Sequence, residues 1–463
     1  MTAVTETGPA DTTVVKALRK LRMPQTQRNR ELALLLFAFA INAASVALVQ
    51  LGAVGSIDWT FLYYCGGLTV LVLALHIVLR LRAPQADPFV VPIATVLSGL
   101  GLAMIYRIDI EKSWTGWAAF STRQLVWLAI AVAAAAAIVI ALRNYRVLFR
   151  YTYVSGLVGI VLLLLPFVPG LGTNANADVW VSIGGLFTFQ PGELAKIALA
   201  IFFAGYLVRT RESLSSVGTR FLGITWPRPR ELGPLLLIWV ASMAIIVLQR
   251  DLGTGLLMFG MFIAMIYVAT GKTSWAVIGV VLAVGGAIIA AQTLTYVGWR
   301  FHNWIDAFNT EIIDRDGGSY QLVSGIFGLS EGGLFGTGLG MGRPGLTPLS
   351  QSDYIFPSLG EELGLVGVFA ILGLYMVFAS RGMRIGVTGQ DDFGKLLATG
   401  LSFTIALQVF IMVGGVTRLI PLTGLTTPFL AAGGSSLVAN WIIVALLLRI
   451  SDAVRSRPRV VIG

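Results

Sequence analysis

Long apolar runs recur along the whole chain, and short polar or charged stretches separate them. A helix that crosses a bilayer needs roughly 20 predominantly apolar residues. The pattern predicts twelve such helices, at 31–52, 60–79, 89–106, 122–142, 152–168, 192–208, 233–249, 252–270, 273–293, 356–380, 396–416 and 426–449. The sequence therefore predicts an all-α polytopic membrane protein.

The composition strengthens this interpretation. Hydrophobic residues make up 56% of the chain and charged residues 12%, whereas about a quarter of the residues in soluble domains are charged. The single cysteine, Cys65, lies in an apolar run, which excludes an internal disulfide and a cysteine metal cluster. The two histidines, His76 and His302, are too few and too far apart for a zinc pair or a triad base.

The net charge of +10 has a topological explanation. If the N-terminus is cytoplasmic, twelve crossings place most of the 33 lysines and arginines on that same side, as the positive-inside rule requires. Both termini are then cytoplasmic, with residues 1–30 as a disordered basic tail and 451–463 as a short basic tail. Attraction to anionic membrane lipids follows from this charge, and we expect no binding of nucleic acid.

Two of the predicted outer connections are long, at 169–191 and 294–355, and long loops in compact bundles are commonly functional. The second contains Gly340, Gly342 and Gly345 in a G-x-G-x-x-G pattern. A helical membrane protein offers no βαβ unit at this place, so dinucleotide binding is not expected. We expect the glycines to allow close backbone packing, or a segment that re-enters the bundle.

Three acids, Asp353, Glu361 and Glu362, lie at the start of the tenth predicted helix. Ser358 and Glu361 have the spacing of a helix capping box, and Glu362 would favour the positive end of the same helix dipole. Asp353 lies upstream, so capping does not explain it. It is either a solvated loop carboxylate or, held at the membrane boundary by apolar neighbours, a base that accepts a proton from a substrate hydroxyl.

The sixth predicted helix opens with Glu193 and Lys196, which are spaced to share one helical face. Charged groups in spanning segments usually face the protein interior or a wet cavity, so a structural ion pair and a substrate contact both remain open. Trp180, shortly before them, is either an interfacial belt residue or a stacking platform for a sugar ring.

Further polar residues are expected on the outer side. Asp251 lies between the seventh and eighth predicted helices, either as a turn residue or as part of a site. The outer cations that could meet a phosphate, or simply be solvated, are Arg300, Arg315, Arg343 and Arg418.

Several motifs, in the same order, resemble those of the SEDS proteins (shape, elongation, division and sporulation), which include RodA, FtsW and SpoVE. The family pattern FQPSELAK resembles residues 189–196, and QPDLGT resembles 249–254. GYQ and SGGLFGKGLGxG resemble 320–321 and 331–342, HTDFIFAVIGEELGxxG resembles 351–367, and LPxTGLPLPFxSYGGSSL resembles 420–437.

The resemblance implies a peptidoglycan glycosyltransferase that polymerises lipid II at the outer face of the cytoplasmic membrane. The essential aspartate of the family falls on Asp353, its glutamate and lysine on Glu193 and Lys196, and its tryptophan on Trp180. The other candidate substrate-binding residues are Gln190, Asp251, Arg300, Gln321 and Arg343.

The chain also departs from the family pattern. Arginines that precede the tryptophan in the family are replaced by Asp178 and Val179, and a glutamate before the aspartate is replaced by Leu349. Gly192 and Arg250 stand in place of a serine and a proline. Any role of those family residues does not carry over to this chain.

The usual family core has ten helices. The resemblance therefore implies a glycosyltransferase core at 87–450, which includes the large extracellular loop 294–355, and two additional N-terminal helices at 31–86. This extension and the short C-terminal tail resemble actinobacterial RodA more than FtsW, which implies a role in cell elongation and shape.

The mechanism implied is inverting. Asp353 would act as general base on the 4-hydroxyl of the acceptor sugar, and undecaprenyl pyrophosphate would leave. Cationic help for the leaving group would come from Lys196, Arg300 or Arg343, or from a divalent cation, Mg²⁺ or Mn²⁺, that bridges Asp353 and phosphate oxygens. The expected partners are lipid II, the growing glycan strand, a class B penicillin-binding protein that crosslinks the glycan, and membrane lipids.

The alternatives are a lipid II flippase or other transporter, and an FtsW-type division polymerase. Transporters place their binding residues near the middle of the membrane, whereas the acids here cluster at one face. This distribution favours chemistry at the membrane surface.

Overall fold

The computed structural model of the protein describes residues 21–22, 26–172, 179–183, 187–215, 219–221, 224–226, 229–456 and 459–460. The predicted disorder of the N-terminal tail concerns residues that lie mostly outside this set, as do Asp178 and part of the C-terminal tail. Where the described chain resumes, a helix begins at Arg28, slightly earlier than predicted.

Almost all of the described regular structure is helical. The α-helices are α1 (Arg28–Ala53), α2 (Trp59–Arg82), α3 (Val90–Glu111), α4 (Phe120–Ala141), α5 (Val147–Arg150), α6 (Thr152–Leu164), α7 (Pro191–Ser215), α8 (Pro229–Leu248), α9 (Leu252–Thr270), α10 (Thr273–Thr293), α11 (Thr295–Ile305), α12 (Thr310–Ile313), α13 (Tyr320–Gly332), α14 (Ile355–Thr388), α15 (Asp392–Val416) and α16 (Gly434–Arg455). Short 3-10 turns occur at Gly116–Ala118, Leu165–Phe167 and Pro344–Leu346.

Three small antiparallel strand pairs occur among the described residues. Strands β1 (Leu21–Arg22) and β6 (Arg459–Val460) join the two ends of the chain. Strands β2 (Val181–Ile183) and β3 (Phe187–Phe189) form a hairpin before α7, and β4 (Thr219–Phe221) and β5 (Ile224–Trp226) form one after it.

Ten of the described helices are long and apolar enough to cross a membrane: α1, α2, α3, α4, α7, α9, α10, α14, α15 and α16. The two other predicted spans, 152–168 and 233–249, coincide with shorter apolar helices, Thr152–Phe167 and Leu237–Leu248. The prediction of an all-α polytopic membrane protein is confirmed.

Helix α3 lies at the centre of the bundle, since every residue of its apolar stretch is buried. Helix α1 packs along α3, and α14 contacts it from another side, while α2 packs against α4. By contrast, only 6% of the apolar stretch of α10 is buried. Helix α10 therefore lies at the periphery, where an apolar surface suits the acyl chains of a bilayer.

The predicted loop 294–355 is not a simple extended loop. It contains α11, α12 and α13, and α13 packs against α14. The glycine-rich stretch that follows α13 folds back onto the bundle. An added Cβ at Gly340 would lie 2.8 Å from the carbonyl oxygen of Val49 in α1, so the prediction of close backbone packing is confirmed.

The last predicted span, 426–449, is wrong at its start, because α16 begins only at Gly434. Pro421, Gly424 and Pro428 interrupt the helical backbone before it. The freed carbonyl groups find partners inside the protein: Gln408 Nε2 donates to Thr426 O at 2.9 Å, and the Tyr375 hydroxyl donates to Pro428 O. Irregular backbone among the helices is tolerated where protein groups satisfy it in this way.

The capping-box prediction at the start of α14 is also wrong. The helix begins at Ile355, so Ser358 lies inside its first turns, and its hydroxyl donates to Tyr354 O at 3.0 Å. Glu361 Oε1 instead accepts a hydrogen bond from the backbone N–H of Arg343, at 2.6 Å. Glu362 is only 1% exposed and accepts from Arg107 and Gly340, so it is not a helix-dipole residue in the first turn.

Helix α14 is broken at Gly364, where φ is 68° and ψ is −174°. A left-handed φ strains residues other than glycine. Here a Cβ would also lie 2.2 Å from Gly336 N, which is backbone and cannot rotate away. Two consecutive helical pieces, 355–363 and 365–388, therefore meet at this residue.

We expect Gly364→Ala to lower the free energy of unfolding by about 1–3 kcal/mol, because both the backbone conformation and the close approach disfavour a side chain. Thermal unfolding of the detergent-purified protein measures this change. Gly373→Ala is the matched control, since an added Cβ there has no neighbour within 4 Å and the residue lies inside the same helix. Equal melting temperatures for the two variants would contradict the prediction.

Candidate active site

Asp353 lies in the turn that leads into α14. Backbone N–H groups of Ser352 and Tyr354 both donate to Leu349 O, at 3.0 and 3.2 Å, and so fix the carboxylate at the end of this turn. Asp353 itself is partly exposed, whereas Tyr354 beside it is fully buried. Tyr354 thus anchors the turn in the core, while the Asp353 carboxylate remains accessible.

The Asp353 carboxylate lines a cavity of about 420 Å³. Four segments distant in sequence build its wall: α11, the stretch from 315 into α13, the turn before α14, and the irregular segment before α16. The lining residues are Arg300, Asn303, Trp304, Arg315, Asp316, Gly317, Gly318, Ser319, Tyr320, Gln321, Leu322, Pro348, Asp353, Tyr354, Leu422 and Gly424.

Two guanidinium groups face this cavity. Arg300 Nη1 donates to Leu422 O at 3.1 Å, which ties α11 to the irregular segment. Arg315 Nη2 donates to Asn303 Oδ1 at 3.0 Å, and its guanidinium stacks 3.8 Å from the centre of the Trp299 ring. The Nε of Arg315 is buried and has no hydrogen-bond partner in the described structure. This part of the cavity is suited to an anion.

The protein environment changes the acidity of Asp353. Desolvation raises the pKa of Asp353 to about 6, although the Arg300 charge and a hydrogen bond with Ser352 act in the opposite direction. The charge of Asp251 adds to the increase. A carboxylate with a pKa near 6 is ionised at neutral pH and is a stronger base than an ordinary aspartate.

A second polar group lies on α7. Lys196 Nζ is 2.6 Å from Glu193 Oε2 and donates to Gln408 Oε1 of α15 at 3.1 Å. Glu193 and Lys196 are 6% and 2% exposed, so the predicted ion pair exists and is buried. Because Gln408 also binds the irregular segment at Thr426, the pair is connected to one wall of the cavity.

Gln190 and Asp251 form a further polar contact near the start of α7 and α9. The Gln190 amide donates to Asp251 Oδ2 at 3.4 Å, and Asp251 caps α9 by accepting the Thr254 N–H at 3.0 Å. Burial raises the pKa of Asp251, while its bonds with Thr254 lower it. Asp251 thus caps a helix at the turn between α8 and α9, and the Arg300 charge acts on Asp251 as it does on Asp353.

The candidate residues from the sequence are thus divided among three places. Arg300 and Gln321 line the cavity with Asp353. Glu193 and Lys196 form the buried ion pair of α7, and Gln190 and Asp251 form a partly buried contact close to it in the chain. Arg343 is exposed and Trp180 is partly buried just before β2, and neither belongs to the cavity lining.

Some residues of the site were not singled out by the sequence. Gln408 has a usable signal, because an amide inside an apolar span usually faces other helices or a cavity. Asn303, which orients Arg315, has no such signal, since polar residues are ordinary in a loop. Arg315 was only one of several outer cations until the fold brought it to the cavity.

The acids of the cavity do not form a metal site of their own. Among the described ranges, no group of three or more His, Cys, Asp or Glu side chains could hold a metal ion. Mg²⁺ is commonly bound by one or two carboxylates together with phosphate oxygens of a substrate. Asp353 could serve as such a carboxylate ligand, with phosphate oxygens of a substrate as the other ligands.

The family model for FtsW, RodA and SpoVE, described as a cell cycle protein, matches residues 88–456. This match spans most of the chain. The chain belongs to the FtsW/RodA/SpoVE family. The family match begins just after α2, so both the Asp353 cavity and the Glu193–Lys196 pair lie inside it.

Individual relatives indicate the branch of the FtsW/RodA/SpoVE family. The peptidoglycan glycosyltransferase RodA of Mycobacterium tuberculosis (strain H37Rv) is 44% identical over 444 residues, which cover 94% of this chain and 93% of that protein. The probable peptidoglycan glycosyltransferase FtsW of Geobacter metallireducens is 31% identical, over 80% of this chain and 96% of its own. The chain is therefore an actinobacterial RodA-like member of the family.

A solved structure shares the fold of this FtsW/RodA/SpoVE protein. It comes from work on the structural coordination of polymerization and crosslinking by a peptidoglycan synthase complex, and matches with a TM-score of 0.63. The identity is 22%, and the match covers 80% of this chain and 98% of that one.

Proposed function

We propose that this RodA-like membrane protein is a peptidoglycan glycosyltransferase that polymerises lipid II, with Asp353 as the general base. The names of the relatives support the enzyme class. The observation that carries the mechanism is the position of Asp353 in one cavity with Arg300 and Arg315. Desolvation there raises the pKa of Asp353 to about 6, which suits a base at neutral pH.

The reaction needs one proton transfer and one displacement. The Asp353 carboxylate accepts the proton of the acceptor 4-hydroxyl, and the hydroxyl oxygen forms a bond to the anomeric carbon of the donor sugar. The bond from that carbon to the pyrophosphate oxygen breaks, and its electron pair leaves with undecaprenyl pyrophosphate. Attack opposite the leaving group inverts the configuration at the anomeric carbon.

Arg300 and Arg315 are the groups that bind the pyrophosphate in this proposal. Guanidinium groups match phosphate oxygens with paired hydrogen bonds, and fixed cations lower the barrier when charge develops on a leaving group. Lys196 is engaged by Glu193 and Gln408, and Arg343 lies outside the cavity lining. This favours the two cavity arginines over the other cations that the sequence offered.

A divalent cation remains part of the proposal, with Asp353 as its protein ligand. Such an ion would add positive charge at the phosphate oxygens. Measuring the polymerisation rate with Mg²⁺, with Mn²⁺ and with a chelator determines whether Arg300 and Arg315 stabilise the leaving pyrophosphate without a metal ion.

We place the protein in the cytoplasmic membrane, with the Asp353 cavity facing outward and both termini in the cytoplasm. Twelve crossings, formed by the ten long helices and the two shorter ones, support this topology because they collect most of the basic residues on one side. Labelling of single cysteines introduced into the loops tests this arrangement.

A class B penicillin-binding protein is the partner that we propose, since a glycan strand made at this surface must be crosslinked. The structure with the same fold comes from a complex that combines polymerization and crosslinking. Co-purification with the matching transpeptidase tests the association.

The polymerisation rate is expected to fall as the pH decreases through about 6, because Asp353 must be ionised to accept a proton and its pKa is raised to that value. The pH dependence of kcat/KM for lipid II measures this. An acidic limb near the ordinary aspartate value of 3.8 would contradict the assignment.

The decisive experiment for the function is direct. The purified protein, with and without the matching transpeptidase, is supplied with lipid II and divalent cations, and the glycan products are separated on a gel. Polymer is the expected result. Translocation of lipid II across liposomes without any polymer would instead support a flippase.

A further inference from the structure

A buried ion pair outside the cavity is not used by the proposed chemistry. Arg107 of α3 donates through Nε to Glu362 Oε1 of α14 at 3.1 Å, and the two side chains are 8% and 0% exposed. These residues are 255 positions apart in the chain. The pair therefore connects the central helix of the bundle with the helix that follows Asp353.

The pair also binds the glycine loop, which we define as residues 333–345. Glu362 Oε2 accepts the N–H of Gly340 at 2.8 Å, and Arg107 Nη2 donates to Gly342 O at 2.5 Å. Neighbouring charged groups make similar contacts: Glu361 accepts the N–H of Arg343 at 2.6 Å, and Glu111 accepts that of Gly345 at 3.1 Å.

The glycine loop completes the break in α14. Around Gly364, the helix leaves backbone groups without partners inside the helix. Thr337 N and Gly338 N donate to the carbonyl oxygens of Glu361 and Glu362, each at 3.0 Å, and Leu365 N donates to Gly333 O at 2.9 Å. The orientation of the first helical piece, 355–363, thus depends on the loop.

Asp353 lies in the turn that immediately precedes the N-terminal end of that helical piece. Its C-terminal end is fixed by the glycine loop and by the Arg107–Glu362 pair. Buried ion pairs contribute little net stability compared with apolar residues of similar size, because both charges must be desolvated. A role in holding one geometry explains the pair better than a role in stability.

We infer that Arg107 and Glu362 are positioning residues, which lock the glycine loop onto helical piece 355–363 and thereby hold Asp353 at the distance from the acceptor hydroxyl that proton transfer requires. This inference rests on the proposed function, since it assigns a task in the same reaction. Neither residue belongs to the lining of the Asp353 cavity.

The test compares Glu362→Gln with the wild type. Glutamine keeps the shape and can still accept from Gly340, but it removes the charge of Glu362 from Arg107, which keeps Glu111 at 3.4 Å as its other ion-pair partner. We expect kcat for lipid II polymerisation to fall on the order of 100-fold, the typical effect of a displacement of about 1 Å at a reacting group. KM is expected to be unchanged, because Arg300, Arg315 and Gln321 belong to other segments.

Glu31→Gln is the matched control. Glu31 is also a buried glutamate paired with an arginine, at 2.5 Å from Arg28, and lies in α1. We expect this variant to retain wild-type kcat per folded molecule. A similar loss of kcat in both variants would mean that any buried ion pair has this effect, and would overturn the inference.

Arg107→Lys supplies a second variant in case Glu362→Gln fails to fold. Lysine keeps the charge but lacks the planar fork that serves Glu362 and Gly342 together, so we expect an intermediate kcat. Wild-type kcat in folded Glu362→Gln or, where only it folds, in Arg107→Lys would overturn the inference.

Amide hydrogen exchange provides a readout that does not depend on activity. The amides of Thr337, Gly338 and Leu365 are expected to exchange faster in Glu362→Gln than in the wild type or in Glu31→Gln. Unchanged protection would overturn the inference even if polymerisation were lost. Failure of the proposed function has a different signature, namely no polymer from the wild type.

Discussion

Asp353→Ala is expected to lower the rate of lipid II polymerisation by about 10²- to 10⁴-fold, the usual contribution of a general base. Alanine removes the carboxylate of the turn before α14, while the backbone hydrogen bonds of the turn to Leu349 O remain. Gel separation of glycan products, at equal amounts of folded protein, measures the effect.

Asp316→Asn is the matched control for this loss. Asp316 lines the same cavity but is exposed and lies in a different wall segment, before α13. We expect it to retain most of the wild-type rate, together with the acidic limb of the pH profile. If Asp316→Asn lost as much of the polymerisation rate as Asp353→Ala, the assignment of Asp353 as the general base would be contradicted.

Asp353→Asn separates catalysis from folding. Desolvation raises the pKa of Asp353 above its unfolded value of 3.8 to about 6, so the ionised form is disfavoured in the folded protein. The stability that protonated Asp353 contributes is present below pH 3.8 and is lost as the pH rises through about 6. At neutral pH, the neutral amide is therefore expected to melt no lower than the wild type, although it cannot act as a base.

Much of the fold and part of the site follow from local sequence. Spanning helices are predicted because hydropathy over a short window decides membrane insertion. The position of Asp353 was noticed because capping could not explain it. The Glu193–Lys196 pair was predicted because residues three apart share one face of a helix.

The remaining features depend on contacts between distant segments. The capping-box spacing of Ser358 and Glu361 was misleading because the helix had already begun at Ile355, and the partner of Glu361 comes from the glycine loop. The irregular segment before α16 is stabilised by side chains of other helices, such as Gln408, which hydropathy cannot detect. Arg315 becomes a cavity residue only through the folding of 294–355.

Contacts between distant segments also decide which of the candidate cations lie at the cavity. In the sequence, Lys196, Arg300, Arg315 and Arg343 are all outer or boundary positive charges. The fold engages Lys196 in a buried pair, leaves Arg343 exposed, and brings the other two to the cavity of Asp353. Tertiary packing, and not residue type, therefore selects the phosphate ligands in our proposal.

Lys196→Met is expected to destabilise the protein by about 3–5 kcal/mol, because it leaves the Glu193 carboxylate buried without its counter-ion. Glu193 is 6% exposed, so water cannot replace the lost ammonium without opening the bundle. Gln408 would also lose the donor to its side-chain oxygen. Denaturant or thermal unfolding of the purified protein measures the loss.

The double variant Glu193→Gln/Lys196→Met distinguishes a lost counter-ion from lost packing. It removes both charges and keeps similar side-chain volumes, and such replacements of buried pairs are often neutral. We therefore expect it to recover most of the stability that Lys196→Met loses. Lys272→Met, at the partly exposed start of α10, should change stability by no more than about 0.5 kcal/mol. If the double variant were as unstable as Lys196→Met, the loss would come from packing around the lysine stem, and the charge of Glu193 would not be its cause.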